Sequence, residues 1–211
     1  MHSIFDYIVS PVKSRYNNEI KVGDKELIVN TEIFNHQFVN REARVLSTPI
    51  VASTPVSPGD KVLIHHNVFR RWHDVKGIEK NSASYISDDK YSCTPDQVYA
   101  YKPFTNGDNP EPWQALPGYC FVKPIKNKDQ FSTSNENELI GFLLYDNKQL
   151  NKFGVKAGDL VGIGKFSQFE FVIDGQRVYR AKTNDISVKY EYTGDQEEYN
   201  PSWANSSSRV D

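Results

Sequence analysis

The apolar positions of this chain fall in short runs that are rich in Val, Ile, Phe and Tyr, and each run is closed by Gly, Pro, Asn or Asp. Apolar residues at helical spacing are almost absent, and short runs bounded by turn formers are typical of β-strands. The pattern predicts an all-β protein. The predicted strands are 7–12, 43–47, 61–66, 91–94 and 98–102, followed by 119–125, 139–145, 160–164, 169–173, 176–182 and 186–192.

A segment rich in proline separates the two sets of strands. Residues 103–117 contain four prolines, a glycine and several other turn formers, which is the composition of a connector. We therefore predict one domain at 1–102, a linker at 103–117 and a second domain at 118–192. Residues 193–211 are polar and are predicted to form a mobile tail.

The two halves repeat each other in sequence, and each matched segment occurs in the same order. The offset between the halves is 113 residues at Pro11 and Pro124 but 99 residues at Gly59 and Gly158, so the first copy carries about 14 extra residues between these points. The matched segments are 7–12 with 120–125, 56–62 with 155–161, and 91–98 with 179–186, the last with one residue of slippage.

Each copy contains a Gly-Asp pair directly before a predicted strand, Gly59-Asp60 and Gly158-Asp159. Glycine adopts the positive φ that such a turn often requires, and the aspartate side chain can accept a hydrogen bond from a nearby backbone N–H. We expect both features in both turns.

The second half, residues 119–192, resembles the GroES (chaperonin-10) family, and the first half resembles it with more decoration. In the second half the resemblance lies in Val122-Lys123-Pro124, Gly141-Phe142-Leu143-Leu144, Val155-Lys156-Ala157-Gly158-Asp159, the Asp174-Gly175 hairpin and Asn184-Asp185-Ile186. In the first half it lies in Gly59-Asp60-Lys61-Val62-Leu63 and Asp96-Gln97-Val98-Tyr99-Ala100. The resemblance implies two GroES-like small β-barrels in tandem, similar to the double-domain chloroplast co-chaperonins and to phage-encoded co-chaperonins.

The resemblance also implies a partner and a contact. Proteins of this family self-associate into a ring and cap a GroEL-type chaperonin ring through a mobile loop that carries an apolar triplet. The loop 14–41 contains Leu27, Ile28 and Val29, which fit that role; alternatively, these three residues form an extra strand buried against their own barrel. The loop 126–138 has Phe131 as its only large apolar residue, so we do not expect it to bind the chaperonin.

The densest aromatic and basic segment of the chain is 69–74, inside an insertion of the first copy. Phe69, Arg70 and Trp72 are candidates for an interface between subunits, since Trp and Arg are enriched at interface hot spots. Alternatively, Phe69 and Trp72 pack the insertion onto the barrel, and Arg70 pairs with Asp74 or faces solvent.

Charge and cysteine content narrow the function classes. The 25 basic and 27 acidic side chains are nearly balanced and unclustered, which argues against nucleic-acid binding. No signal peptide and no apolar run of membrane-spanning length is visible, which predicts a cytoplasmic protein, in the host if it is phage-encoded, with Cys93 and Cys120 reduced and buried.

Candidate chemistry is sparse. His65 and His66 point to opposite faces of a strand, so with His73 they do not predict a metal site. No nucleophile elbow and no phosphate loop is present, so we expect no cofactor and no enzymatic activity. The second hypothesis is a structural protein, such as a phage virion or decoration component, that uses the barrels as oligomerisation modules.

Overall fold

The computed structural model describes residues 2–16, 19–22, 25–28, 39–105, 111–129, 133–165 and 168–206. The chain divides into two compact units, 1–113 and 114–211, and the division falls inside the predicted connector. Strands dominate both units, which confirms the all-β prediction. Within the described ranges the α-helices are one-turn segments, α1 (Lys148–Lys152) and α2 (Ser202–Ser206).

The first unit contains one main sheet and two separate hairpins. The main sheet has the strand order β10-β5-β4-β1-β9-β8, whereas β2 pairs with β3 and β6 pairs with β7. The strands are β1 (Tyr7–Pro11), β2 (Glu19–Val22), β3 (Lys25–Ile28), β4 (Glu42–Ser47), β5 (Lys61–Ile64), β6 (Arg71–His73), β7 (Glu79–Asn81), β8 (Tyr85–Ser87), β9 (Lys90–Cys93) and β10 (Val98–Lys102).

The second unit begins with the two-residue strand β11 (Gln114–Ala115) and contains a six-stranded sheet. Its order is β17-β14-β13-β12-β16-β15. The strands are β12 (Tyr119–Lys126), β13 (Glu136–Tyr145), β14 (Leu160–Ile163), β15 (Phe169–Ile173), β16 (Gln176–Lys182) and β17 (Ile186–Tyr190).

The two main sheets have the same topology, and their central strand pairs have the same register. Strands β1, β4, β5, β8, β9 and β10 correspond in order to β12, β13, β14, β15, β16 and β17. Val9 lies opposite Val45 and Tyr91, and Val122 lies opposite Leu143 and Tyr179 in the corresponding pairs. One irregularity also matches, since the first pair shifts register between Ile8 and Val9 and its counterpart shifts between Phe121 and Val122. The shift between Tyr85 and Ser87 has no counterpart in β15 and β16.

The turn before β10 and its counterpart before β17 correct one detail of the match between the two halves of the chain. The N–H of Thr94 donates to Oε1 of Gln97 at 3.2 Å, and the N–H of Lys182 donates to Oδ2 of Asp185 at 3.3 Å. Gln97, rather than Asp96, is therefore the counterpart of Asp185. The predicted slippage of one residue is wrong, because the two turns occupy the same position of the repeat and the two aspartates do not.

The Gly-Asp turns have the expected geometry in both units. Gly59 and Gly158 have φ values of +98° and +91°. Oδ2 of Asp60 accepts a hydrogen bond from the N–H of Ser57 at 2.8 Å, and Oδ2 of Asp159 accepts one from the N–H of Lys156 at 2.7 Å. Both predictions for this turn are confirmed.

Each sheet buries one apolar face in the core of its own unit. Val9, Val45 and Val62 are buried in the first unit, and Val122, Leu143 and Val161 are buried in the second. In the parts of the chain that the structure describes, no strand pairing joins the two edges of either sheet, so neither sheet is closed into a barrel.

The predicted state of the cysteines is confirmed, since Cys93 and Cys120 are both free and buried. Burial raises the pKa of the Cys120 thiol to about 12, so it stays protonated. No described helix is long and apolar enough to cross a membrane. The described residues also include no group of three or more His, Cys, Asp or Glu side chains that could hold a metal ion.

Part of the predicted tail, residues 193–211, is paired and buried against the second unit. Residue Glu198 forms an antiparallel bridge with Ile125, and both Pro201 and Ala204 are buried. The pairing could not be predicted from the polar composition of this segment, because composition does not indicate which backbone groups form hydrogen bonds. Residues 207–211 of the tail lie outside the described part of the chain.

Candidate partner-binding segment and its neck

The candidate site is the chain between β1 and β4, residues 12–41, which we call the partner segment. Within it Leu27 lies opposite Ile20 and Ile28 lies opposite Glu19 in the β2–β3 hairpin. This hairpin is a two-stranded sheet of its own and is not part of the main sheet. Val29, the third residue of the predicted triplet, lies outside the described residues.

The two ends of the partner segment meet in a partly buried neck, which is formed by Ser14, Arg15 and Tyr16 on one side and by Val39 and Asn40 on the other. Tyr16 bridges to Val39, and the N–H of Asn40 donates to the carbonyl of Arg15 at 2.9 Å. Nδ2 of Asn40 donates to the carbonyl of Ser14 at 3.0 Å. Because Tyr16, Val39 and Asn40 are all buried, the neck holds the ends of the segment at a fixed separation.

Arg15 ties the neck to the rest of the first unit. Its Nε donates to the carbonyl of Phe69 at 3.1 Å, and its Nη1 donates to Oδ1 of Asn81 at 2.7 Å. Its guanidinium also lies 5.2 Å from the centre of the Tyr91 ring. Burial lowers the pKa of Arg15, and the guanidinium remains charged, as arginine does in proteins.

Arg71 makes a second tie to the neck from the inserted β6–β7 hairpin. Its backbone N–H donates to the hydroxyl of Tyr16 at 2.7 Å, and its guanidinium lies 4.9 Å from the centre of the same ring. Nη1 of Arg71 also pairs with Glu79 at 3.0 Å, across the hairpin. The insertion therefore supports the neck of the partner segment.

The predicted interface residues Phe69, Arg70 and Trp72 differ in their exposure to solvent. Phe69 is 0% exposed and its ring packs edge-on against Tyr91 at 4.9 Å, so an interface role for Phe69 is wrong and its role is packing. Arg70 is half-buried. Trp72 is 45% exposed, with its indole N–H donating to the carbonyl of Asn81 at 3.2 Å. Asp74 is the alternative partner predicted for Arg70, and its Oδ2 lies 3.8 Å from Nζ of Lys80.

The second unit has a corresponding neck at the start of β13, with different chemistry. Arg177 pairs with Glu136 at 2.5 Å and with Glu170 at 2.7 Å. The hydroxyl of Tyr179 donates to Glu136 at 2.5 Å, and the Arg177 guanidinium lies 5.0 Å from the centre of the Tyr179 ring. Burial, and then the hydrogen bond to Glu136, raise the pKa of Tyr179, so its hydroxyl remains a donor.

Both necks are therefore built around a tyrosine at the same position of the repeat. Tyr91 and Tyr179 both lie opposite the valine of the first strand, and each has an arginine over its ring. Arg177 could have been found from sequence, since it lies two residues before Tyr179 and alternate strand residues share a face. Nothing in the sequence links Arg15 to Tyr91 or Arg71 to Tyr16.

The site consists of ion pairs, hydrogen bonds and ring contacts that fix the backbone at the ends of a segment. Such an arrangement can position a binding segment. No protein-family model matches this chain, and no curated protein matches it at the threshold of the search.

Proposed function

We propose that this chain is a co-chaperonin of the GroES type, which self-associates into a ring and caps the rim of a GroEL-type chaperonin through the partner segment. The two main sheets are proposed to be tandem domains of the GroES-like type, although strand pairing closes neither sheet among the described residues. In this proposal the chain binds no cofactor, and the chaperonin hydrolyses the nucleotide. The protein acts in the cytoplasm.

The observation that carries the proposal is the repeated six-strand ladder combined with a long insertion at one point of one copy. The ladders agree in strand order, and the pairs β1–β4 and β12–β13 agree in register and share a bulge at the same position. Between their first two strands, the first copy has residues 12–41 and the second has only residues 127–135. Scaffolds that repeat while one connection grows usually carry their binding function in that connection.

The neck gives the partner segment the support that a binding element needs. Its ends are buried and hydrogen-bonded, while the β2–β3 hairpin with Leu27 and Ile28 forms a sheet separate from the scaffold. A supported apolar segment can dock in an apolar groove of a chaperonin subunit. Several copies in a ring then bind together, so that weak single contacts add to a stable cap.

The test is to mix the chain with a chaperonin ring and nucleotide, and to look for capped rings by size-exclusion chromatography and electron microscopy. Wild-type protein is expected to cap the rings. Leu27→Asp and Ile28→Asp are expected to abolish capping, because each places a charge in an apolar contact.

Ile86→Asp is the matched control, since it makes the same chemical change at an exposed residue in β8. This variant is expected to cap like the wild type, and all variants should keep the wild-type circular dichroism spectrum. Capping by the Leu27 and Ile28 variants at wild-type levels would remove the partner segment from the proposal.

A structural assembly protein is the second candidate function, favoured by an apolar corner of the first unit. Ile4, Phe5, Ile50 and Val51 are 57%, 68%, 69% and 62% exposed. They are held together because the N–H of Ile50 donates to the carbonyl of Ser3 and the N–H of Val51 donates to the carbonyl of Ile4. Contiguous exposed apolar side chains often mark protein contacts.

If the protein is an assembly protein, this apolar corner, and not the partner segment, controls its oligomeric state. Ile50→Asp with Val51→Asp should reduce the oligomer to a smaller species in light scattering. Val75→Asp, at a fully exposed position of the insertion, is the control and should leave the oligomer unchanged. An unchanged oligomer in the corner variant, together with chaperonin capping by wild type, would reject this candidate.

A further inference from the structure

The second unit has an open cleft on the side of β13 that faces away from the core. Leu143 is 1% exposed and belongs to the core of this unit, so its neighbours Phe142 and Leu144 point to the other side of the sheet. A cleft of about 480 Å³ lies there, lined by Phe142, Leu144 and Tyr192 among others. This volume is within the range of about 300–1,000 Å³ that small-molecule sites usually have.

Two aromatic rings supply apolar surface to the cleft. The rings of Phe142 and Tyr192 meet edge to face, with their centroids 5.2 Å apart and their planes at 90°. Tyr192 is 55% exposed, so part of this aromatic surface is open to solvent. Because the two rings are perpendicular, they cannot sandwich a flat base between parallel planes. A sugar ring needs only one ring face, since its C–H groups pack against aromatic carbon from one side.

The charged side chains that line the cleft neutralise each other. Nζ of Lys123 donates to Oε1 of Glu198 at 2.7 Å, and the other carboxylate oxygen of Glu198 accepts from Nε2 of Gln176 at 3.4 Å. Because the pair of Lys123 and Glu198 has no net charge, it favours neither an anion such as phosphate nor a cation. It can still bind a neutral polar ligand, since an ammonium group and a carboxylate each form more than one hydrogen bond.

Gln196 supplies the observation that points to a ligand. It lines the cleft, and its Oε1 atom is buried without a hydrogen-bond donor among the residues that the structure describes. A buried acceptor without a donor lowers the stability of a protein, so such atoms are rare in folded chains. A ligand that donates a hydrogen bond to Oε1 would remove this cost.

We propose that this cleft binds a neutral sugar. A C–H face of the sugar ring packs on the aromatic surface, Gln196 accepts from one hydroxyl group, and Lys123 and Glu198 bond to others. A sugar combines an apolar face, many hydroxyl donors and no charge, which are the three properties that the cleft favours. Sugar binding is independent of the proposed capping of a chaperonin, because the cleft lies in the second unit and the partner segment lies in the first.

The test is NMR titration of the full-length chain with a panel of neutral mono-, di- and trisaccharides of glucose, galactose, mannose and N-acetylglucosamine. Adenosine and inorganic phosphate are separate arms, because they represent a flat base and an anion. We expect at least one saccharide to bind at millimolar concentration or below, and to shift the amide signals of Phe142, Leu144 and Tyr192.

Two variants test whether the saccharide binds in the cleft. Tyr192→Ala removes the exposed ring, and Gln196→Leu removes the buried acceptor but keeps a side chain of similar shape. Each should weaken saccharide binding about tenfold or more. Phe153→Ala and Gln149→Leu make the same kinds of change at exposed residues in and after α1, and these controls should bind like the wild type.

Gln196→Leu also distinguishes a binding role from a structural one. Since Oε1 has no donor in the free protein, this variant should be as stable as the wild type in urea unfolding, or more stable. Binding of adenosine or phosphate in place of a saccharide would overturn the proposal. The absence of saccharide binding, saccharide binding that both cleft variants retain, or a less stable Gln196→Leu variant would overturn it as well.

Discussion

The two units of this chain have sheets of the same topology, but the arginines at the ends of the first loop have different partners in each unit. In the first unit Arg15 donates to one backbone carbonyl and one side-chain amide, Arg15 and Arg71 lie over two tyrosine rings, and Arg71 pairs with Glu79. In the second unit Arg177 is surrounded by Glu136, Glu170 and the hydroxyl of Tyr179. A single scaffold thus accommodates a neck with mainly neutral partners around a long segment and an ionic neck around a short one.

The difference follows from what each neck must hold. The long partner segment requires support from outside the ladder, which the insertion with Phe69 and Arg71 supplies. The short second loop is closed by its own sheet, because Lys126 already lies opposite Glu136. The comparison therefore teaches that the insertion and the partner segment belong together as one addition to the repeat.

The largest predicted effect tests the ionic neck. Arg177→Ala should lower the free energy of unfolding of the second unit by about 4 kcal/mol, because it leaves the largely buried Glu136 and the partly exposed Glu170 without their cation. Urea unfolding followed by circular dichroism measures this loss.

Arg15→Ala is the matched change in the first unit. It leaves neutral acceptors, so its cost should be about 2 kcal/mol. Equal losses from the two arginine variants would show that the necks do not differ in the way described.

The next prediction tests how closely the two ladders coincide. Gly141 and Ala43 occupy the same register position, opposite Pro124 and Pro11. A Cβ on Gly141 would meet Val122 Cγ1 at 2.6 Å and the carbonyl oxygen of Lys123 at a clashing distance, whereas the first unit accepts the Cβ of Ala43. Gly141→Ala should therefore cost about 3 kcal/mol in urea unfolding.

Ala43→Gly provides the reverse substitution at the same place in the first unit. Since it removes one methyl group and adds backbone freedom, it should cost only about 1 kcal/mol. A mild Gly141→Ala variant would mean that the second ladder is less tightly packed at β12 and β13 than the distances indicate.

A smaller effect tests the support of the partner segment. Tyr16→Phe removes the hydroxyl that accepts the N–H of Arg71 but keeps the ring beneath the guanidinium. It should cost about 1 kcal/mol and increase amide hydrogen exchange at Arg71. Tyr85→Phe, which removes an exposed hydroxyl that donates to Asp88, is the control. It should change neither the free energy of unfolding nor the exchange at Arg71. Unchanged exchange at Arg71 would argue against the tie.

The smallest effect concerns the Gly-Asp turn of the second unit. Although burial alone would raise the pKa of Asp159, hydrogen bonds from Lys189 and from the N–H of Lys156 lower it. A carboxyl with a lowered folded-state pKa stabilises the protein above its ordinary pKa, and this contribution disappears as the pH falls through the folded-state value.

Asp159→Asn should accordingly lose less than about 1 kcal/mol at pH 7 relative to the wild type, since the ion pair with Lys189 is partly exposed. The difference between the two proteins should vanish in urea unfolding measured in strong acid. A difference that persists unchanged in acid would show that the charge of Asp159 is not its source.

The parts of the fold that depend on local chemistry could be predicted from the sequence. The Asp174-Gly175 hairpin forms as expected, with Ile173 paired to Gln176 and positive φ at both turn residues. The Gly-Asp turns and the order of the repeated strands are further cases. The short helix α1 also has a local signal, since Asn147 Oδ1 caps it by accepting from the N–H groups of Gln149 and Leu150.

The parts that depend on contacts between distant residues could not be predicted. Tyr16 meets Arg71, and Arg15 meets Asn81, only after the sheet has formed. Phe69 was a candidate for an interface because aromatic and basic residues cluster around it, yet burial is decided by Tyr91, which lies far along the chain. Likewise, the pairing of Glu198 with Ile125 leaves no trace in the polar composition of the tail.

Hydrogen exchange of the chain, free and mixed with a chaperonin ring and nucleotide, tests the central comparison most directly. The account predicts new protection of amides in β2 and β3, at Glu19–Val22 and Lys25–Ile28, with the amides of β12 and β13 unchanged. Protection confined to the second unit, or none at all under conditions where the ring is competent to bind a cap, would contradict the assignment of partner binding to the long segment of the first unit.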